Sequence, residues 1–268
     1  LTGERRGRHG PNSMRLTALP AFDDNYIWAL VADDGRAVIV DPGQAAPVLE
    51  AAQREGFTPV AALLTHHHAD HIGGVAELQQ HFPALELYGP DDERMPAATR
   101  HVAHGDTVTA LGIDFAVLEV PGHTRSHVAY VGDGHLFSGD TLFSLGCGRM
   151  FEGTPPQMFD ALQRLASLPG ETLVCCGHEY TLANAAFALH VDPTNAALQR
   201  RQQEAQAMRH AARPTLPISL KSELATNPFL RLHTPEIRAA VAAHASISIT
   251  SDVDVFAELR RWKDVFRA

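Results

Sequence analysis

Val60-Ala61-Ala62-Leu63-Leu64 runs without a break into Thr65-His66-His67-His68-Ala69-Asp70-His71. A short continuous apolar run is compatible with a strand buried on both faces. A strand that ends in polar side chains presents them at a loop on a rigid support. If the segment stays roughly extended, His66, His68 and Asp70 point to one side and His67 to the other, because side chains alternate along a strand. His71 then steps off that line. One stretch can therefore offer His66 and His68 to one cation, and Asp70 and His71 to a neighbour. Imidazole and carboxylate suit zinc, iron or manganese, and no thiolate is implied. The plainer reading is a solvated, tag-like tract, but a tag neither follows a buried strand nor continues into Ile72-Gly73-Gly74.

One segment cannot close two sites, so further ligands should recur at other strand ends. His123 lies in Val120-Pro121-Gly122-His123-Thr124, after a strand expected over 113–120. Asp140 lies in Ser138-Gly139-Asp140-Thr141, after one over 135–138, and His178 in Cys176-Gly177-His178-Glu179-Tyr180, after one over 172–176. Each follows a glycine, which lets the backbone turn sharply and approach a ligand cluster. Alone, each reads as a polar turn residue; together with the 66–71 cluster, they read as ligands.

Further out, residues 26–32 and 37–40 are apolar runs joined by Asp33-Asp34-Gly35-Arg36, a hairpin signal. More strands are expected over 85–88 and 127–131, and helices over 45–55 and 156–168, the latter with Pro155 and Pro156 at its start. After about Tyr180 the texture becomes alanine-rich and helical, over 182–190, 195–212, 236–244 and 253–266, with breaks at Pro193, Pro214 to Pro217 and Pro228. The expected fold class is α/β, followed by an α-helical region. Residues 1–13 are basic, carry no apolar core and contain Gly3, Gly7, Gly10 and Pro11. They are expected to form a disordered tail ahead of a natural start at Met14, removable without loss of activity.

The four motif segments, His66-x-His68-x-Asp70-His71 with His123, Asp140 and His178, resemble the signature of the metallo-β-lactamase superfamily. That resemblance implies an αββα sandwich with two metals at one edge. It narrows to the glyoxalase II (hydroxyacylglutathione hydrolase) family through Thr65-His66-His67-His68-Ala69-Asp70-His71, Gly139-Asp140-Thr141-Leu142-Phe143, Gly146-Cys147-Gly148-Arg149, Cys176-Gly177-His178-Glu179-Tyr180-Thr181 and Asn227-Pro228-Phe229-Leu230-Arg231. The likeness runs from Met14 onward and includes the C-terminal helices that many superfamily members lack. It implies a catalytic domain over 14–179 and an α-helical substrate-binding domain over 180–268. It also implies that His66, His68 and His123 hold the first of two divalent ions, zinc before iron or manganese. Asp70, His71 and His178 hold the second, and Asp140 bridges the pair.

The implied reaction is hydrolysis of S-D-lactoylglutathione to D-lactate and glutathione, a step of methylglyoxal detoxification, by a hydroxide bridging the two ions beside Asp70 and Asp140. Two divalent ions carry four positive charges and these carboxylates return two, so water between the ions loses a proton easily. Arg149, Tyr180 and Arg231 are implied to bind the glutathione part. Phe151 stands where some members have tyrosine, and Thr234 where some have lysine three residues after the last arginine, so carboxylate binding should differ from theirs.

A formal net charge of −9 argues against nucleic acid as the main partner. It leaves room for a local cationic pocket that takes an acidic small molecule. No apolar stretch approaches the roughly 20 residues of a membrane span. Cys147, Cys175 and Cys176 read as reduced, buried thiols of a cytoplasmic protein, and a monomer is expected. Among the remaining polar residues, His67 and His135 read as packing or solvent-facing. His127 is either a hydrogen-bonding support of a ligand or strand packing. Asp41 is either an orienter of a ligand histidine or a turn residue, and Asp23, Asp24 and Asn25 are candidates to fix a loop near the metals. The rivals are another enzyme of the same fold, such as a persulfide dioxygenase with one iron, which an oxygen electrode separates, and a non-catalytic metal-stabilised binding protein. The latter is disfavoured because structural zinc sites are usually closed and often thiolate-rich.

Overall fold

The computed structural model describes residues 14–246 and 250–267; the expectation for residues 1–13 falls outside them. The first sheet is built from β1 (Met14–Ala21), β2 (Asn25–Ala32), β3 (Arg36–Val40), β4 (Thr58–Leu63), β5 (Glu86–Pro90) and β6 (Thr99–Val102), in that spatial order. The first three strands pair antiparallel and β3 through β6 pair parallel. Parallel pairing needs crossovers, and these are α1 (Ala46–Glu55) before β4, then α2 (Ala69–Ile72) and α3 (Val75–His81) before β5.

The second sheet contains β7 (Thr107–Ala110), β8 (Ile113–Glu119), β9 (Val128–Gly132) and β10 (His135–Gly139). The small hairpin β11 (Leu142–Phe143) and β12 (Gly146–Cys147) follows, then α4 (Pro155–Ala166), and the sheet resumes with β13 (Leu173–Cys176). Four helices come next, α5 (Thr181–Val191), α6 (Ala196–His210), α7 (Leu220–Thr226) and α8 (Pro235–Ala245), with the short strand β14 (Ile218–Ser219) ahead of α7; α9 (Asp252–Val265) closes the chain. The spatial order is β14-β13-β10-β9-β8-β7.

Alternation along the strands explains the layers. In β2, Tyr26, Trp28 and Leu30 face a core shared with Phe115, Val117, Tyr130 and Phe137 of the second sheet, whereas Ile27, Ala29 and Val31 face α1 and α3 through Val48 and Leu78. Both faces of β2 are buried, which is why its sequence is a continuous apolar run. The outer face of the second sheet, at Ala129, Leu136 and Val174, packs against Met158, Leu162 and Leu165 of α4. The same cluster continues through Phe187, Val241, Phe256 and Trp262 of the C-terminal helices. Helix on sheet on sheet on helix is thus the αββα sandwich, with the last helices joined to its outer layer.

Local signals account for most helix ends. Thr154 forms a capping box with Gln157 ahead of α4, Asn195 accepts from the N–H groups of Ala197 and Leu198 to start α6, and Ser251 with Asp254 caps α9. Several elements carry no comparable signal. Strand β1 mixes Arg15, Thr17 and Pro20 with apolar residues and sits at a sheet edge, where proline is tolerated. One sequence expectation is corrected: the histidine segment is extended only as far as His68 (φ −61°, ψ 142°), and Ala69 opens a helical turn. The N–H groups of His71 and Ile72 donate to the carbonyl of His68, so Asp70 and His71 come from a turn of helix.

Candidate metal centre

All seven predicted ligands meet at one edge of the sandwich, beyond the ends of β4, β10 and β13. Nε2 of His66 and Nε2 of His123 each lie 3.1 Å from Nδ1 of His68. Nε2 of His71 and Nε2 of His178 each lie 3.4 Å from Oδ2 of Asp70. Asp140 stands between the trios: Oδ2 is 3.2 Å from Nε2 of His178 and 3.4 Å from Nε2 of His123, and Oδ1 is 3.3 Å from Nε2 of His71. Among the described residues three groups, His66–His68–His123, Asp70–His71–His178 and Asp41–His66–His71, each bring one ligand atom per residue within 4.8 Å of one another.

Backbone geometry makes this convergence possible. At the end of β10 the register with β13 shifts between Phe137 and Gly139, and Gly139 has φ +50°. A Cβ there would stand 2.4 Å from Oγ1 of Thr65, so only glycine lets Asp140 turn inward. Gly177 is equally constrained, since a Cβ would lie 2.6 Å from Oδ1 of Asp140 and 2.7 Å from Cε1 of His71.

Most of the candidate ligand histidines are oriented from behind. Oδ2 of Asp41 lies 2.9 Å from Nδ1 of His71 while also accepting from Oγ1 of Thr65, and Oδ1 of Asp41 accepts from the Thr65 N–H. Of its two sequence readings, Asp41 is therefore the orienter. Nδ1 of His123 donates to the Arg149 carbonyl at 2.9 Å, and Nδ1 of His178 to Oδ1 of Asp24 at 2.8 Å. Because carbonyls and carboxylates only accept, Nδ1 carries a proton and Nε2 is the nitrogen that faces the centre. His127, fully buried and stacked on His66, accepts the Asp140 N–H on its Nε2 at 3.1 Å; it supports a ligand. His67 is mostly buried, with ring nitrogens 3.8 Å from Asp92 and 3.6 Å from Glu152.

The donor set fits divalent cations. Nε2 of His71 and Oδ1 of Asp140 are buried with no hydrogen-bond partner, an expensive arrangement unless something else binds them. Nitrogens about 2.0–2.1 Å from a tetrahedral zinc would stand roughly 3.3–3.4 Å apart, close to the spacings above. Burial holds His66 well below the usual imidazole range and brings His68 down to about 4, so both are neutral near pH 7. Burial also opposes charge on His71 and His178, yet Asp140 and Asp41 raise the first, and Asp140 and Asp70 carry the second up to about 10. Protons thus occupy the positions that cations would take, and metal uptake would release them.

A cleft of about 490 Å³ opens from the centre. Its wall carries His68, Asp70, His123, Asp140 and His178 together with the cations Arg149, Arg260 and Lys263 and the rings of Phe143, Phe151 and Tyr180. The Tyr180 ring stacks on His178 at 4.7 Å, and Phe151 meets His123 edge-on at 5.2 Å. Arg149 and Tyr180, two of the three expected substrate contacts, line the cleft. Arg231 does not line the cleft, because its guanidinium is engaged by the buried carboxylate of Asp192. Arg260 and Lys263 were missed; their signal was Arg260-Arg261-Trp262-Lys263, which puts two cations three residues apart on one face of α9.

A sandwich of this architecture with a histidine-aspartate centre at its edge defines the metallo-β-lactamase superfamily, whose family model matches residues 23–178. A second model, the hydroxyacylglutathione hydrolase C-terminus, matches residues 179–266. A relative named hydroxyacylglutathione hydrolase from Xanthomonas campestris pv. campestris (strain B100) is 98% identical over 95% of this chain and 100% of its own length. A relative of the same name from Xylella fastidiosa (strain M12) is 62% identical over 94% of this chain and 98% of its own. Among solved structures, ETHE1 from Myxococcus xanthus aligns with a TM-score of 0.64 at 25% identity over 94% of this chain and 90% of its own. The BLEG-1 B3 metallo-β-lactamase aligns with 0.62 at 25% identity, over 82% of this chain and all of its own. The chain belongs to the hydroxyacylglutathione hydrolase family, also called glyoxalase II.

Proposed function

We propose that this enzyme hydrolyses the thioester S-D-lactoylglutathione to D-lactate and glutathione at the seven-ligand centre. One observation carries the reading: a single cleft is lined both by members of the two trios with Asp140 and by the cations Arg149, Arg260 and Lys263. A glutathione thioester suits both, with a reactive carbonyl beside sulfur and carboxylates at a distance. His66, His68 and His123 would hold one divalent ion and Asp70, His71 and His178 the other, with Asp140 shared. Zinc is the proposed metal, since the set is nitrogen and oxygen only and requires no redox change. Bound there, the ions supply Lewis acidity that lowers the pKa of water and polarises a carbonyl.

The protein's own groups do the rest. Arg149 and Lys263 pair with the glutathione carboxylates, Arg260 backs them from deeper in the wall, and this remote binding energy brings the carbonyl to the ligand cluster. Phe143, Phe151 and the Tyr180 ring cover the path and limit access of bulk water. Asp70 and Asp140 remain ionised, so they can hold the attacking water by accepting its hydrogens. Water oxygen bonds to the acyl carbon, the carbon–sulfur bond breaks, and the departing thiolate takes up a proton as glutathione. We further propose that residues 14–179 carry the chemistry and 180–268 supply, alongside Arg149, the glutathione contacts, and that the chain acts as a monomer in the cytoplasm. Among the described residues no helix is long and apolar enough to cross a membrane.

Elemental analysis of the purified protein beside hydrolysis assays tests this. Two metal equivalents per chain and turnover of S-D-lactoylglutathione are expected, with no turnover of a β-lactam or an unrelated thioester. Two metals without thioester hydrolysis, or hydrolysis that survives complete metal removal, would overturn it.

A further inference from the structure

Asp24 and Asn25, at the entry to β2, are not ligands, yet both touch the second trio. Oδ1 of Asp24 accepts from Nδ1 of His178 at 2.8 Å, and Nδ2 of Asn25 donates to Oδ2 of Asp70 at 3.0 Å and to the Asp70 carbonyl at 3.3 Å. The backbone locks the pair in place. The Tyr26 N–H donates to the Gly177 carbonyl and the Glu179 N–H to the Asp24 carbonyl, both at 2.8 Å, and Asn25 pairs with His178 as an antiparallel bridge.

The two side chains act with opposite polarity on opposite ligand types. A carboxylate behind an imidazole fixes its tautomer, orients the ring and strengthens the lone pair at the far nitrogen. An amide N–H₂ against a carboxylate occupies one lone pair and sets the rotation of the group. Asp41 supports the third member, His71, from the other side. The first trio takes its support elsewhere: His123 from the Arg149 carbonyl and His66 from Oγ1 of Thr65. Two adjacent residues therefore orient two of three ligands at one position and contact none at the other.

We propose that Asp24 and Asn25 are positioning residues that set the affinity of the second cation position, formed by Asp70, His71 and His178, independently of the first. This rests on the two-site reading above. Ligand support of this kind is worth about 10–100-fold in metal affinity, so selective loss at one position is a measurable signature. It also gives the chain a form with one site filled and the other empty at intermediate metal concentration.

The test titrates metal-free protein with Zn²⁺ in competition with a chromophoric chelator, for wild type, Asp24→Ala, Asp24→Asn and Asn25→Ala. Wild type should take up two equivalents. In Asp24→Ala and Asn25→Ala the first should bind as in wild type and the second about 10–100-fold more weakly, with Asp24→Asn in between. Asn25 is buried, whereas the Asp24 side chain is 43% exposed, so the Asp24 variants carry the test alone if Asn25→Ala does not fold. Unchanged affinity for both equivalents overturns the proposal, and so does equal weakening of both, which would report a general disturbance. Failure of wild type to bind two equivalents would instead strike the underlying two-site reading.

Discussion

Asp140 is the side chain that meets both trios, with one oxygen 3.2 Å from His178 and 3.4 Å from His123. Asp140→Ala should therefore lower kcat/KM by on the order of 1,000-fold, roughly 4 kcal/mol, and lower metal content as well, read by thioesterase assay beside elemental analysis. The cleft cations should behave differently. Arg149→Ala and Lys263→Ala remove binding that does not change during reaction, so KM should rise about tenfold with kcat nearly unchanged. Arg231 is the informative contrast. Its partner Asp192 is almost fully buried, and stripping a buried pair of one member costs about 3–5 kcal/mol. Arg231→Ala should lower the Tm and leave KM where it was; a raised KM at unchanged Tm would return Arg231 to the substrate site.

At the scale of elements, three loops are tied together beside the first trio. Arg94, between β5 and β6, pairs with Asp92 at 2.7 Å and with Glu152 at 2.5 Å, while Asp92 accepts from Ser126 and Glu152 from the Arg125 N–H. Glu152 follows Phe151, whose ring meets His68 and His123. Hydrogen bonds from Arg94 hold Asp92 well below the usual carboxylate range and bring Glu152 down to about 2. Both folded values are depressed, so this stabilisation is fully present above the ordinary carboxylate pKa near 4 and is lost as pH falls towards 2. Arg94→Ala should accordingly lose less Tm than wild type between pH 5 and about 2.5, measured by thermal melts. An equal loss would show that the clasp contributes nothing. A second tie is Glu223 of α7, fully buried, which accepts from Oγ of Ser144, the Leu145 N–H and Nδ2 of Asn227. It joins the C-terminal helices to the β11–β12 hairpin, whose Phe143 lines the cleft.

For the whole molecule, the outer core runs without interruption from Leu136 and Val174, through α4, into Phe187, Phe256 and Trp262. A chain ending at residue 179 would expose that face to water, and at about 25 cal/mol per Å² such a loss exceeds the few kcal/mol by which domains are stable. The truncated chain should be insoluble or lack near-ultraviolet circular dichroism; a well-folded fragment would refute the shared core. Metal removal is a second global lever. Bound ions would tie four separate segments of the chain together and stabilise the folded state, so chelation should lower the Tm, abolish turnover and be reversed by zinc.

The donor chemistry was legible in the order of residues because it is local: a strand end followed by His66, His68, Asp70 and His71 can present little else, and a glycine before His123, Asp140 and His178 marks where the chain can turn inward. Strands with both faces buried, such as β2, announce themselves as apolar runs, while edge strands such as β1 and the two-residue hairpin strands do not. Only the tertiary structure decided which groups stand behind the ligands and which cations face the cleft. Asp24, Asp41 and His127 reach the centre from just beyond the ends of other strands, and Arg260 with Lys263 arrives on the last helix while Arg231 turns away to Asp192. Such choices depend on packing between segments from 13 to 154 residues apart, and residue type and spacing offer the candidates without deciding among them.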